Sequence, residues 1–183
     1  MDSPITEYAD VFRNTRVLLY VDADMLFVGP VDVTSAAGLI AVEHPGYVSA
    51  PTDTLPFERR RESAACVSSV TAGPYFCGGV QGGATETFLS AAASIDENIL
   101  ADEQSGVTAI WHDESHWNRY LIDHPPQLTL GAEYACPDYL ASPSARILAL
   151  SKNHDFFRGV NLRRRIAKRL REAVFALKSQ LIR

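Results

Sequence analysis

The sequence predicts an α/β fold, and three observations carry that prediction. Short apolar runs rich in β-formers (Arg16–Val21, Gly38–Glu43, Leu128–Leu130, Ile147–Leu150) alternate with two helical stretches, residues 84–104 and 111–122. A length of 183 residues suits roughly one domain with a real core. Hydrophobic residues at 46% and charged residues at 21% are ordinary globular usage. That composition excludes a disordered, collagen-like or disulfide-dense chain. No apolar run approaches the ~20 residues that span a bilayer. The first 16 residues are mixed polar and charged, without the apolar segment of a secretory signal. Cys66, Cys77 and Cys136 form no CxxC pair, which suits a reducing compartment and offers no zinc framework.

Each element has its own reason. Arg16–Val21 reads as a buried strand that delivers Asp22 and Asp24 at its C-terminal end, before the Gly29-Pro30 breaker. Gly38–Glu43 reads as a second buried strand, stopped by His44-Pro45-Gly46. Residues 47–73 are rich in Pro, Ser and Thr and hold the charge cluster Glu58–Glu62, so they read as a long excursion. The paired glycines of Tyr75–Gly83 imply tight turns or close backbone approach. Residues 84–104 are Ala- and acid-rich, with Thr85 as the expected cap. Trp111–Ile122 reads as a loop entering a second helix that ends before Pro125-Pro126.

The charge is unevenly spread. Residues 158–183 hold nine Lys/Arg and one acid, or +8, and the other residues hold eight bases and 21 acids, or −13, which gives the net −5. Within that tail Leu162, Ile166, Leu170, Val174, Leu177 and Leu181 recur at steps of three and four, one apolar stripe on a basic helix.

Three constellations can carry chemistry. Asp22 and Asp24 point the same way at a strand end, where two carboxylates either hold a hard divalent cation or are simply solvated. In His112-Asp-Glu-Ser-His116 the histidines are four apart, but Glu114 is not at the zincin position. Its carboxylates either serve a reacting centre at a helix N-terminus or form an ordinary acidic first turn. Lys152 follows a short strand, where it either reaches a phosphate or stands in solvent.

The order of these strings is more specific than any one of them. "LYVDADMLF", "HPG", "FERR", "YFCGGVQGG", "WHDESHWNRYL" and "KNH" follow one another from Arg16 to His154. The chain thereby resembles glycosyltransferase family 6, which includes the histo-blood-group ABO and α-1,3-galactosyl transferases. The resemblance implies a GT-A-like nucleotide-diphospho-sugar transferase fold. Residues 1–157 would form a partial catalytic domain and residues 158–183 a basic amphipathic C-terminal helix. In the family a long segment precedes the DxD strand, whereas 15 residues precede Arg16 here, so the fold is expected to be N-terminally truncated.

The implied activity is transfer of galactose or N-acetylgalactosamine, with retention, from a UDP-sugar to the 3-hydroxyl of a β-galactoside acceptor. By motif, Asp22 and Asp24 would hold Mn²⁺ against the diphosphate. Glu114 would face the donor sugar opposite UDP, as nucleophile or as stabiliser of an oxocarbenium-like centre. Asp113, Cys77, Gly78, Gly79 and Lys152 would contact the donor, and His44 and Trp111 the acceptor. The room left by Gly79 favours N-acetylgalactosamine. The alternatives are an inactive sugar-binding remnant and a zinc hydrolase using His112 and His116. The tail is expected on an anionic membrane surface, with the protein cytoplasmic, at the inner face, and no nucleic-acid partner.

Overall fold

A computed structural model of the chain describes residues 8–68 and 73–151. Lys152, His154 and the basic stretch 158–183 lie outside the described residues. After a single helical turn, α1 (Ala9–Phe12), the first strand β1 (Val17–Val21) leads through Asp22 to β2 (Met25–Phe27). β3 (Leu39–Glu43), β4 (Phe76–Ala84), the helices α2 (Thr85–Gln104) and α3 (His112–Asp123), and strands β5 (Leu128–Leu130), β6 (Cys136–Pro137) and β7 (Ile147–Ala149) follow.

Two sheets form. The larger runs β1-β4-β3-β5 and the smaller β2-β7-β6. β4 is antiparallel to both neighbours, and β3 is parallel to β5. Ile40, Ala41 and Val42 of β3 are fully buried, as a continuous apolar run bounded on both faces requires. Alternation splits the two faces cleanly. Leu39, Ala41 and Phe76 pack with Phe88, Ala91, Trp117 and Leu121 under the helices. Ile40, Val42 and Val80 pack on the other face with Leu130, Ala135 and Ile147.

The paired-glycine block is a strand rather than a set of tight turns. Glycine has poor strand propensity, yet β4 pairs on both sides, and tertiary pairing outweighs propensity here. A β-carbon at Gly82 would run into the Leu18 carbonyl oxygen, so close backbone approach is the correct half of the expectation. Between Ala41 and Glu43 of β3 the partner moves from Gln81 to Phe76, so two steps along β3 answer to five along β4. The extra residues make a bulge at Cys77–Val80, the kind of irregularity that re-aims groups beside a functional site.

Thr85 is not the expected cap. It is the first helical residue, makes no capping bond, and its hydroxyl donates to the Thr15 carbonyl at 2.7 Å. At the other end of α2, Gly106 takes φ +69. Gly106 N–H donates to Glu103 O at 3.0 Å and Val107 N–H to Asp102 O at 2.8 Å, a glycine-terminated helix end. The excursion after β3 is also better built than its composition suggests. Leu55, Phe57, Val67 and Tyr75 form a small core of their own, with Tyr47 against it.

Candidate functional site

Asp22 and Asp24 sit where β1 leaves the sheet. Asp22 N–H donates to the Gly79 carbonyl at 2.9 Å, and Leu150 N–H donates to the Asp24 carbonyl at 2.9 Å, so the backbone of the pair is tied to both sheets. The Tyr20 hydroxyl donates to Asp22 Oδ1 at 2.8 Å. Burial, then this bond, then the charges of Asp22, Asp113 and Asp24 push the Tyr20 hydroxyl up to about 12. Asp113 therefore acts on the same phenol as the DxD carboxylates. The two motifs, about 90 residues apart in sequence, share one electrostatic centre.

Glu114 lies in the first turn of α3, where the helix dipole favours a carboxylate. Its Oε1 accepts from the Tyr75 hydroxyl at 2.8 Å and its Oε2 from the Gly78 N–H at 2.8 Å. Burial raises its pKa, the Gly78 and Tyr75 bonds oppose the rise, and the Asp113 and Asp22 charges add to it. One turn on, Asn118 bonds both backbone groups of Phe76 at 2.8 Å and donates to the Glu114 carbonyl at 2.9 Å. α3 is thus bolted to β4 beside the bulge.

The glycines of the bulge make room for both groups. A β-carbon at 78 would lie 2.8 Å from the Glu114 β-carbon, and one at 79 would lie 3.1 Å from Asp22 Oδ2 and 2.6 Å from Met25 Cε. Cys77, between them and Phe76, is buried in the core, and burial pushes its thiol up to about 11. It stays protonated at neutral pH and acts here as a small packing residue.

His44 stands beside Tyr75, whose hydroxyl reaches Glu114, and Trp111 immediately precedes α3. His44 stands 4.8 Å from the Tyr47 ring and 5.9 Å from the Tyr75 ring, between centroids. Its Nδ1 accepts from the Gly46 N–H at 3.1 Å. Burial lowers its pKa to about 4, so it is neutral at pH 7. Trp111 is 47% exposed, an apolar surface of the kind that receives a sugar face. His112, next along, is left-handed at φ +51 and turns the chain into α3.

The described residues bring together Asp22, Asp24, Gly78, Gly79, Asp113 and Glu114, with His44 alongside through Tyr75. Lys152 lies outside them. Tyr75, Tyr20 and Asn118 are additions to the sequence reading. Asn118 was discoverable in part, because it sits four residues after Glu114 on a helix and so shares its face. For the zinc alternative, His112 is exposed and His116 is buried with Nε2 3.5 Å from Asp102. Among the described residues no three His, Cys, Asp or Glu side chains are grouped to hold a metal ion. Asp22 and Asp24 supply hard oxygen ligands, and the glycine at 79 lets the backbone and the flexible end of Met25 lie close beside Asp22 Oδ2. Two such carboxylates would fit a hard divalent cation only with further oxygen ligands from elsewhere.

A model of glycosyltransferase family 6 matches residues 5–159. Globoside alpha-1,3-N-acetylgalactosaminyltransferase 1 of Canis lupus familiaris is 36% identical over 131 residues, 72% of this chain and 38% of that protein. Histo-blood group ABO system transferase 1 of Rattus norvegicus is 32% identical over 142 residues, 75% and 41%. O-antigen biosynthesis glycosyltransferase WbnI of Escherichia coli is 29% identical over 131 residues, 71% and 56%. The chain therefore spans about two fifths of the length of the first two relatives.

Proposed function

We propose that this chain, which belongs to glycosyltransferase family 6, holds the reacting centre of a retaining α-1,3-galactosyl or N-acetylgalactosaminyl transferase. The donor is a UDP-sugar and the acceptor the 3-hydroxyl of a β-galactoside. The observation that carries this reading is the carboxylate of Glu114, fixed by Tyr75 and Gly78 and acted on by the charges of Asp22 and Asp113.

Asp22 and Asp24 are the residues that would hold Mn²⁺, which when bound neutralises charge building on the leaving diphosphate. Glu114 stands on the α3 side and faces the anomeric carbon, where it either attacks or stabilises the cationic centre. The Gly78 N–H and the Tyr75 hydroxyl oppose the rise that burial gives the pKa of that carboxylate. Asp113 accepts from donor-sugar hydroxyls. Neutral His44 and the exposed Trp111 ring orient the acceptor. Lys152, by motif, meets the diphosphate. Residues 158–183, a basic helix by their pattern, bring the enzyme to an anionic membrane from the cytoplasmic side.

Calorimetry tests this reading. UDP should bind in the presence of Mn²⁺, lose that binding with chelator, and bind weakly to Asp22→Asn. Lactose binding without any nucleotide binding would contradict it and point to a sugar-binding module.

A further inference from the structure

We propose that Glu58 and Asp102 are positioning residues for Asp113 and Glu114: two buried carboxylates that fasten the loop between α2 and α3 from outside the reacting centre. The inference rests on the role given above to that pair, but its geometry stands without it.

Glu58 is 3% exposed and Asp102 4% exposed, a rare state for acids unless they are paired. Glu58 Oε1 accepts from the Arg59 and Arg60 N–H groups at 2.9 Å and from Arg60 Nε at 3.0 Å. Its Oε2 accepts from Arg60 Nη2 at 2.6 Å and from the Ile110 N–H at 2.8 Å. The same Arg60 Nη2 donates to the Thr108 carbonyl at 2.5 Å. One carboxylate and one guanidinium therefore grip the two strides of chain that lead into Trp111 and His112. These bonds to the ionised form, Arg60 first, hold Glu58 down at about 2, so it is charged throughout the neutral range.

Asp102 makes the second hold. It accepts from the Ser63 hydroxyl at 2.5 Å and from the Ala64 N–H at 2.7 Å, and lies 3.5 Å from His116 Nε2. His116 is two residues past Glu114 on α3, and burial lowers its pKa. The segment 58–67 thus grips α2 at its end and the loop at Thr108 and Ile110, and Asp102 stands beside His116 in the second turn of α3. Between these holds lies a cavity of about 90 Å³ bordered by Asp102, Val107, Ala109, His112, Asp113 and His116. The turn carrying Asp113 and Glu114 borders that space, so on this side of α3 the polar bonds help to set its position. The left-handed His112 adds the need for them, because a non-glycine residue at φ +51 persists only where its surroundings enforce it.

The test uses the full chain and needs no turnover. Carboxyl-carbon NMR of protein labelled in glutamate follows the Glu114 titration, assigned by the resonance lost in Glu114→Gln. Amide exchange follows the Ile110 and Ile40 N–H groups. In Glu58→Gln the Ile110 amide should exchange about tenfold faster or more while Ile40 keeps its protection. The Glu114 midpoint should fall by about half a unit or more as water reaches it. Asp102→Asn should also move the Glu114 midpoint. Arg60→Ala, at an exposed site that leaves the core intact, should give the same changes in smaller degree and decides the matter if Glu58→Gln does not fold. A Glu114 titration unchanged in the folded variants overturns the proposal. Exchange at Ile110 and Ile40 accelerating in step, with no separate shift at Glu114, overturns it too and leaves these acids a purely structural role. Absence of transferase activity would count against the function proposed above and leave this result standing.

Discussion

Gly78 and Glu114 are joined twice: the Gly78 N–H donates to Glu114 Oε2 at 2.8 Å, and a β-carbon on Gly78 would lie 2.8 Å from the Glu114 β-carbon. The hydrogen bond requires the close approach, and the close approach requires glycine. Sequence supplies the small residue, the bulge supplies the register, and α3 supplies the carboxylate.

Gly78→Ala should therefore push Glu114 off its two donors, since neither the strand nor the helix backbone can yield a few tenths of an ångström cheaply. We expect a fall in transfer rate of roughly 10²-fold or more, the scale of a misplaced catalytic group. Gly79→Ala should behave differently. There the nearest atom is the flexible end of Met25, and the next is Asp22 Oδ2 at 3.1 Å. Its main effect should be on Mn²⁺ and UDP affinity. Kinetics and calorimetry on the two variants read the difference, and equal effects on both quantities would speak against separate roles.

His44 predicts a pH dependence. Its folded pKa of about 4 lies below the unfolded 6.5 because burial disfavours the charged ring. The unfolded chain then binds the proton more readily between those values. The stability that the neutral ring contributes is complete above about pH 6.5 and is lost as pH falls toward 4. Urea midpoints at pH 7.5 and 4.5 should differ less for His44→Gln than for the natural chain. Identical pH dependence in both proteins would remove His44 from the account.

Residues 158–183 predict membrane binding. The nine basic side chains of this stretch, each worth about 1 kcal/mol near an anionic surface, should carry the protein up with anionic vesicles in a flotation gradient. High salt or neutral lipid should release it. Failure to float with anionic vesicles at low salt would instead favour the basic tail resting on the acidic body.

Much of the frame was legible in the chain because it rests on local pattern. The apolar runs at 17–21 and 39–43, the Ala-rich helix from Thr85 and the acidic turn before Trp117 each announce themselves within a dozen residues. β4 did not, since Phe76–Ala84 is nearly half glycine and is a strand only because β1 and β3 pair with it from both sides. The site divides along the same line. Asp22, Asp24 and Glu114 stand in recognisable strings. Tyr75, 39 positions before Glu114, and Glu58, 52 positions before Ile110, act through contacts that no local spacing encodes.

The central claim is that the carboxylate at 114 works at the anomeric carbon of a donor held over Asp22 and Asp24. Its most direct measurement is transfer from UDP-N-acetylgalactosamine and UDP-galactose to lactose, with Mn²⁺, by the natural chain and by Glu114→Gln. The account predicts an α-1,3-linked product from the natural chain and a rate lower by roughly 10²-fold or more in the variant, with UDP affinity retained. An undiminished rate in Glu114→Gln would contradict it.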